Sequence, residues 1–440
     1  MLFFLMMAAV TIPSTGRVVL PTGVVTVESE IVIPAGAHDL VIAGSPRGTT
    51  LRAGPKFQGR ALIVCERARN VRFVGFAMDG MRDSHTEHPG LPPSNVTFAK
   101  FYRYNGILVI GTEGLSIARV TFRRIWGFPI LVNTSKHVRV EQIEVRDSGS
   151  KNEKGRNNTT GGVLFEEGTE DFEVRTSQFH YVLGNGVWTH SNYGSPRNAR
   201  GLIAGNEFHE IGRDAIQVGH ATEVKVEANT GTRIGYPFDA IDVETGATPV
   251  GVDTSGNVDK TVYTQNRFEE VNGKCIDLDG FHDGEVTFNT CVNKGKAADY
   301  PHGHFGIVVN NWNPDMKSEH ILIADNTIDG AKFGGIFLIG SEHRLERNKL
   351  LNLNLAHCNE DAAKFGCVAI QGEPDVLQAG IYLGRIAAEW AQKRAAASVG
   401  HIIRDNTITG FHMKDRCILA APGVKLTDSK LEENHCEDIQ

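Results

Sequence analysis

The stretch 273–285 gathers the side chains best suited to acid–base chemistry. Within it, apolar residues alternate with Asp277 and Asp279, which is the pattern of a short β-strand. Because side chains on a strand alternate between its faces, the two carboxylates point the same way, roughly 7 Å apart. A turn that carries His282 and Asp283 follows. Two acids and a histidine predict either a catalytic site or a solvated surface, and the neighbouring strands must decide between them.

An asparagine motif recurs along the second half of the chain and indicates the architecture. The motif begins at Asn206, Asn229, Asn266, Asn289, Asn326, Asn348 and Asn406. All intervals but the last are 22, 23 or 37 residues, so a period of 22 to 23 fits, with insertions. Such a repeat, with short Ile/Val strands and no helical periodicity, is typical of one coil of a parallel β-helix. We therefore predict an all-β solenoid in which the asparagines form a hydrogen-bonded ladder.

The predicted organisation is one domain with a capped end. Residues 1–35 are assigned to an N-terminal segment or cap, with a possible signal remnant at 1–12, and residues 36–440 to the solenoid. Insertions are predicted at 82–104, 148–160, 245–260, 293–304 and 355–400. Residues 387–397 are rich in strong helix formers and predict one short helix in the last insertion.

Polar side chains group on one outward face when the strands are aligned on their inward Ile or Val. This face contains Glu166, Trp188, His190, Gln217, Asp242, Glu244, Asp277 and Asp279. We expect Asp242 to lie one coil, about 4.8 Å, from Asp277, and Glu244 to lie similarly beside Asp279. Like charges at this distance raise one pKa and lower the other, which makes an acid and a base from one residue type. Bound Ca²⁺ at these four carboxylates is the other explanation of their stacking.

The flanking insertions add further candidates. Those at 245–260 and 293–304 should wall the same face into a groove, and the second supplies Tyr300, His302 and His304. The remaining predicted substrate contacts are Lys274, Asp283, Asn310 and Trp312. The tryptophans, Trp188 among them, would suit stacking on a sugar ring.

Composition excludes several classes of protein. The 440 residues have a formal net charge of −7 and no long basic run, so nucleic acid is a poor candidate partner. No apolar stretch is long enough for a membrane helix, and the apolar N-terminus resembles part of a secretory signal. A secreted or periplasmic location is therefore expected. Of seven cysteines, Cys358 and Cys367 could close a small loop, and most others are predicted to be buried apolar residues rather than metal ligands.

The stacked coils and groove resemble the right-handed parallel β-helix superfamily of pectate lyases, polygalacturonases and alginate epimerases. Residues 237–242, Pro-Phe-Asp-Ala-Ile-Asp, are similar to the Asn-Thr-Asp-x-Ile-Asp run of polygalacturonases, and this implies a catalytic acid at Asp239. The Gly-His-Phe-Gly run is similar to their Gly-His-Gly and implies a role for His304, although Gly273-Lys274 replaces their Asp-Asp pair. Residues 279–283 resemble the Asp-Pro-His-Asp of alginate epimerases, without the proline.

The favoured function is hydrolysis of a polysaccharide or oligosaccharide by paired carboxylates, without a required cofactor. One of Asp242, Asp277 and Asp279 would be the general acid and a second the base or nucleophile, with His282 or His304 orienting them. A lyase or C5-epimerase acting on a uronate polymer is the first alternative. Its base would be His282, His304, Tyr300 or Lys274. A non-catalytic carbohydrate-binding or adhesin solenoid is the second.

Overall fold

The computed structural model describes residues 11–242, 248–311, 316–358, 367, 373, 376–385 and 398–439. The predictions for Glu244, Trp312 and the helix at 387–397 lie outside these residues, as does most of the proposed signal remnant. The contacts within the chain divide it into two compact units. Unit 1 comprises residues 1–213 and 239–246, and unit 2 comprises residues 214–238 and 247–440.

Unit 1 is a stack of coils with up to three short strands each, which form three rows. The first row is Ile31–Ile33, Ala61–Glu66, Asn105–Ile110, Ile130–Asn133, Val163–Glu166 and Val187–His190. The second is Gly16–Val19, His38–Ala43, Arg69–Val74, Glu113–Ala118, Lys136–Glu141, Glu170–Arg175 and Asn198–Ala204. The third is Gly23–Val27, Thr49–Ala53, Ala77–Asp79, Thr121–Arg123, Glu144–Arg146, Gln178–Val182 and Glu207–Ile211. Each strand pairs in parallel with its equivalent in the next coil.

Unit 2 repeats this arrangement. Its first row is Ile216–Glu227, Val250–Asp259, Lys274–His282, Ile307–Asn310, Ile336–Leu338, Ile381–Leu383 and Ile418–Ala420. The second is Val262–Thr264, Gly284–Thr287, Ile321–Ala324, Arg344–Glu346, Ile402–Arg404 and Lys430–Glu432. The third is Thr230–Ile234, Arg267–Val271, Thr290–Val292, Thr327–Asp329, Lys349–Leu353, Thr407–Gly410 and His435–Asp438. All pairings within the unit are parallel, as the predicted solenoid requires.

Helical structure is sparse in the described residues. One α-helix covers Phe98–Phe101, and short 3-10 helices cover Arg82–Ser84, Phe238–Ala240, Ala297–Asp299 and Leu426–Asp428. No helix of the described chain is long and apolar enough to cross a membrane.

The predicted asparagine ladder is confirmed in unit 2. The amide oxygen of Asn289 accepts from the backbone N–H and the side-chain amide of Asn266, at 3.1 and 2.9 Å. Asn289 in turn donates to Asn326 and to the Tyr263 carbonyl, at 3.0 and 2.9 Å. The ladder continues through the predicted asparagines to Asn434. It saturates polar groups at a buried turn, where an unpaired amide would be costly.

Three predicted boundaries need correction. Residues 250–259 and Ile381–Leu383 lie within predicted insertions, but both form first-row strands. The predicted cap at 1–35 contains strands between Gly16 and Ile33 that pair with the following coil, so these strands belong to the stack.

The cysteines are more cross-linked than predicted. The Cys358–Cys367 pair is confirmed. Cys275 and Cys291 are also bonded, as are Cys417 and Cys436, so the prediction that most remaining cysteines are simple buried apolar residues is wrong. Cys65 is free and buried.

Candidate active site

The strand Lys274–His282 lies between Val250–Asp259 and Ile307–Asn310. Asp277 is in register with Asp253, and Asp279 is in register with Ser255. The prediction that Asp242 stacks on Asp277 is therefore wrong, because Asp253 takes that position. Sequence reasoning missed Asp253 because Ala240-Ile-Asp-Val matched the repeated strand pattern better than Gly251-Val-Asp-Thr does.

Asp242 instead belongs to unit 1, where the 148–160 loop holds it. Its backbone N–H donates to the Asn157 side chain at 2.7 Å, and Asn152 donates to its buried carboxylate. Asp239 is exposed on the 3-10 helix Phe238–Ala240. Neither residue lies on a strand of the described chain, so the register that suggested their roles is absent.

A break in the β-pattern brings Lys274 onto Asp277. Strict alternation would place side chains three residues apart on opposite faces. Here the consecutive amides of Cys275 and Ile276 both donate to the Gly306 carbonyl, at 3.0 and 3.1 Å, which marks a local irregularity. The Lys274 ammonium donates to Oδ2 of Asp277, and both side chains are largely buried. The resulting ion pair places a fixed positive charge beside the carboxylate.

Asp253 lies in surroundings that favour the protonated form of its carboxyl. Burial, followed by the charges of Asp214 and Asp277, raises the pKa of Asp253 well above its usual range, against the opposing effects of Lys274 and Gln217. Gln217 donates to Oδ2 of Asp253 at 2.7 Å. A raised pKa favours the protonated form of a carboxyl, which is the form that can act as an acid.

The two carboxylate oxygens of Asp277, which lies beside Asp253, differ in their contacts. Oδ1 is buried and accepts no hydrogen bond within the described parts of the chain, whereas Oδ2 accepts one from the Lys274 ammonium. Neighbouring strands are about 4.8 Å apart, so a carboxyl with a raised pKa and a lysine-paired carboxyl lie side by side on adjacent coils. This pair can supply an acid and a base or nucleophile.

Lys274 and His304 are two basic side chains near the Asp253–Asp277 pair. Burial opposes the charged form of Lys274, but the charges of Asp277, Asp253 and Asp279 dominate and raise its pKa. Burial, and then the charges of Lys274 and Lys332, lowers the pKa of His304 to about 3. The His304 ring is thus neutral, and its Nδ1 has no partner among the residues that the structure describes.

Some predicted residues lie on the same face and others do not. Asn310 is in register with Asp279, and both are partly exposed. His282 follows Asp277 by five residues and lies beyond Gly280, in register with Asp259. Its Nε2 is 3.9 Å from Asp259. At Gly280 the strand has φ of +85°, and a Cβ there would come within 2.3 Å of the Gly256 carbonyl.

The loop residues serve the scaffold instead. Asp283 is exposed and pairs with His320 at 3.0 Å. Tyr300 is fully buried and donates to Glu270 at 2.6 Å. The backbone N–H of His302 donates to Asn272 at 2.8 Å, which ties the 293–304 loop to the coil. These contacts give the loop a fixed position rather than catalytic groups.

The predicted sugar-stacking surface in unit 1 is covered. The ring of Phe98, from the 82–104 insertion, lies 4.9 Å from the rings of Trp188 and His190. The carboxylate of Glu166 accepts the backbone N–H groups of Phe98 and Ala99, both at 2.8 Å. Trp188 is only 7% exposed, so it packs in the protein interior and does not offer a face to a ligand.

Carboxylate and histidine groups that could hold a metal ion occur elsewhere. In the described chain they are Glu166 with Glu167 and His190, and Asp283 with Glu319 and His320. At Asp277 the Lys274 ammonium supplies the positive charge that a Ca²⁺ ion would otherwise bring. The calcium alternative stays a prediction.

The sequence matches no family model and no curated protein. Several solved structures are similar in fold. The surface adhesin PfbA of Streptococcus pneumoniae has a TM-score of 0.57 at 14% identity, over 77% of this chain and 84% of that one. The A-module of the mannuronan C-5 epimerase AlgE4 from Azotobacter vinelandii has a TM-score of 0.51 at 12% identity, over 91% and 86%. A DFA-IIIase of Arthrobacter chlorophenolicus A6, in complex with GF2, has a TM-score of 0.50 at 12% identity, over 89% and 84%.

These neighbours are right-handed β-helix proteins, and the parallel rows of strands fit the same fold. The predicted fold class is therefore confirmed. At 12–14% identity the likeness extends to the fold alone, so the activity must be argued from the side chains.

Proposed function

We propose that this chain is a glycoside hydrolase that acts on a polysaccharide or oligosaccharide through Asp253 and Asp277. The observation that carries the proposal is the in-register pair of carboxyls on adjacent coils, one with a raised pKa and the other paired with Lys274. Two carboxyl groups in different protonation states are the usual requirement for glycosidic-bond cleavage.

In the proposed mechanism Asp253 is the acid. Its proton passes to the glycosidic oxygen as the bond to the anomeric carbon breaks. Oδ1 of Asp277, which accepts no hydrogen bond from the described residues, would then attack that carbon. A coil spacing of about 4.8 Å is close to the roughly 5–5.5 Å separation of retaining enzymes. Asp277 would thus form a glycosyl ester, and water activated by Asp253 would release the sugar and regenerate both groups.

The side chains fit a lyase or epimerase less well. Such an enzyme needs a base to remove a proton from the sugar carbon. Lys274 is held protonated by its acidic neighbours, and the lowered pKa of His304 makes its ring a weak base. Burial and the bond to Glu270 raise the pKa of Tyr300 as well.

Hydrolysis is tested first on a panel of polysaccharides, oligosaccharides and aryl glycosides. We expect release of reducing ends without the ultraviolet absorbance of an unsaturated product. Asp253→Ala should lower activity on natural linkages by about 10²–10⁴-fold. It should retain much more activity on aryl glycosides with a good leaving group, because these need little acid assistance. Unsaturated product would contradict the proposal.

The role of Asp277 is tested separately. Asp277→Gly should be inactive on all substrates, and added azide should restore turnover on aryl glycosides as a glycosyl azide, because the azide ion fills the space of the missing nucleophile. Glu285→Gln, an exposed carboxylate on the neighbouring row, is the matched control and should leave the rate unchanged. Wild-type turnover in Asp277→Gly would refute the mechanism. Binding of sugars with no product from any substrate would favour the adhesin alternative.

A secreted or periplasmic location also remains a proposal. The three disulfides favour an oxidising compartment, where such bonds form and persist. Polymeric carbohydrate outside the cell would be the corresponding substrate.

A further inference from the structure

The row of outward side chains that contains the site changes character one coil after Asp277. In register order the row is Gln217, Asp253, Asp277, Val308, Phe337, Tyr382 and Leu419. Three polar residues are therefore followed by four apolar or aromatic ones. Outward apolar residues in a stack of this kind need a cover, because they would otherwise face water.

Described residues of the insertion between the strands Lys349–Leu353 and Ile381–Leu383 provide that cover. Val308 is only 3% exposed, although it occupies an outward position. It belongs to one buried apolar cluster with Tyr382 and with Val376 and Leu377 of the insertion. The rings of Phe337 and Tyr382 stack at 6.0 Å. The outward surface directly beyond Asp277 is thus filled with protein.

A buried polar contact holds the cover in place. Glu373, 7% exposed, accepts from the Tyr382 hydroxyl at 2.9 Å and from Arg385 at 3.0 Å. Removing one partner of such a buried network leaves the others unsatisfied. The Cys358–Cys367 disulfide cross-links the insertion near the same cluster. These contacts hold the cover over Val308 and Tyr382, hereafter called the wall, in a fixed position.

Solvent reaches the neighbours of the catalytic pair more than the pair itself. Asp253 and Asp277 are 5% and 4% exposed, whereas Gln217 and Asp279 beside them are partly exposed. A sugar chain that lies along the row could occupy these positions, but it could not continue past Asp277, because the next coil, about 4.8 Å away, is buried under the wall.

We propose that the enzyme acts at a chain end, with the wall over Val308 and Tyr382 stopping the substrate directly beyond the catalytic pair. This inference rests on the proposed hydrolase function. A closed cleft at one side of the site admits a terminal sugar or short terminal unit and rejects the interior of a polymer.

The product pattern tests this on whichever polymer the panel identifies. We expect one short product of fixed size from the earliest time points, with viscosity falling slowly relative to the reducing ends released. A ladder of random lengths and an early collapse of viscosity would overturn the chain-end proposal while leaving the hydrolase intact. No hydrolysis of any substrate would instead refute the proposed function, and with it this inference.

Loosening the wall provides a second test. Glu373→Ala should shift the products towards mixed lengths and speed the loss of viscosity per bond cleaved. Glu373→Gln, which keeps an acceptor for the hydroxyl, should shift them less. Glu433→Ala, an exposed carboxylate of the last coil, is the control and should keep the single product. Because Glu373→Ala could unfold the insertion, the binding of a short end-blocked oligosaccharide is measured as well. If the wild-type protein binds the free-ended oligosaccharide but not the end-blocked one, the wall is supported. If it binds both equally, the wall is contradicted.

Discussion

Two buried histidines should make the last coils of unit 2 sensitive to acid. Nδ1 of His401 accepts the backbone N–H of His343 at 3.2 Å, and Nδ1 of His343 accepts that of Ile321 at 3.2 Å. The two rings stack at 5.0 Å. A histidine that accepts a backbone hydrogen bond must keep that nitrogen unprotonated, so both rings are neutral in the folded chain.

The size of the effect follows from the pKa values. Burial, and then the charge of His343, lowers the pKa of His401 to about 3, and burial lowers that of His343 to about 4. The unfolded chain binds a proton at each position below about pH 6.5, whereas the folded chain does not. Each histidine therefore contributes stability that is fully present above pH 6.5. It is lost at about 1.4 kcal/mol per pH unit as the pH falls, or roughly 3 kcal/mol by pH 4.

His401→Asn isolates this contribution. Asparagine retains an acceptor for the N–H of His343, as the asparagine ladder shows, but it does not titrate. Stacked repeats need not unfold in one step, so we would measure local opening of the strand Ile402–Arg404 by hydrogen exchange between pH 8 and pH 4, corrected for intrinsic rates. The opening free energy of the wild type should fall more steeply than that of the variant, by about 1.4 kcal/mol per pH unit.

Ser429→Ala is the matched control. The Ser429 hydroxyl accepts the backbone N–H of His401 at 3.2 Å, so its loss should weaken the same turn equally at every pH. Parallel pH curves for the wild type and His401→Asn would refute the reasoning, because they would show that this histidine exchanges no proton on opening.

Three further predictions concern the scaffold. Asn289→Ala should lower the free energy of unfolding, measured in urea, by about 3 kcal/mol or more, because several buried ladder partners lose their hydrogen bonds; a loss below about 1 kcal/mol would contradict this. Replacing Cys275 and Cys291 by serine should lower the free energy of unfolding by about 3 kcal/mol, since the disulfide closes a loop between residues 16 apart. An unchanged Tm in calorimetry would contradict this prediction. Phe98→Ala should uncover Trp188 and lower the free energy of unfolding by about 3–5 kcal/mol. It should also speed proteolysis of the 82–104 insertion. Proteolysis as slow as in the wild type would contradict the role of Phe98 as the cover of Trp188.

The candidate site was only half visible in the sequence. Asp277 and Asp279 were identified because alternation with apolar residues gives their common face directly. Asp253 was missed because the Ala240-Ile-Asp-Val run fits the repeated strand pattern better than Gly251-Val-Asp-Thr does, and that alignment assigns Asp242 to the position beside Asp277. The sequence predicts Lys274 as a substrate contact or as the base of a lyase, whereas a local irregularity turns it onto Asp277.

The sequence by itself determined the fold class and the asparagine ladder. Both follow from local periodicity, since each coil repeats the same strand spacing and the same turn residue. Only the tertiary structure decided which acid stands beside Asp277, that Phe98 covers Trp188, and that the coil after the site is walled. Those features depend on insertions that fold back over the coils, and the contacts of an insertion are not encoded in the period of the repeat.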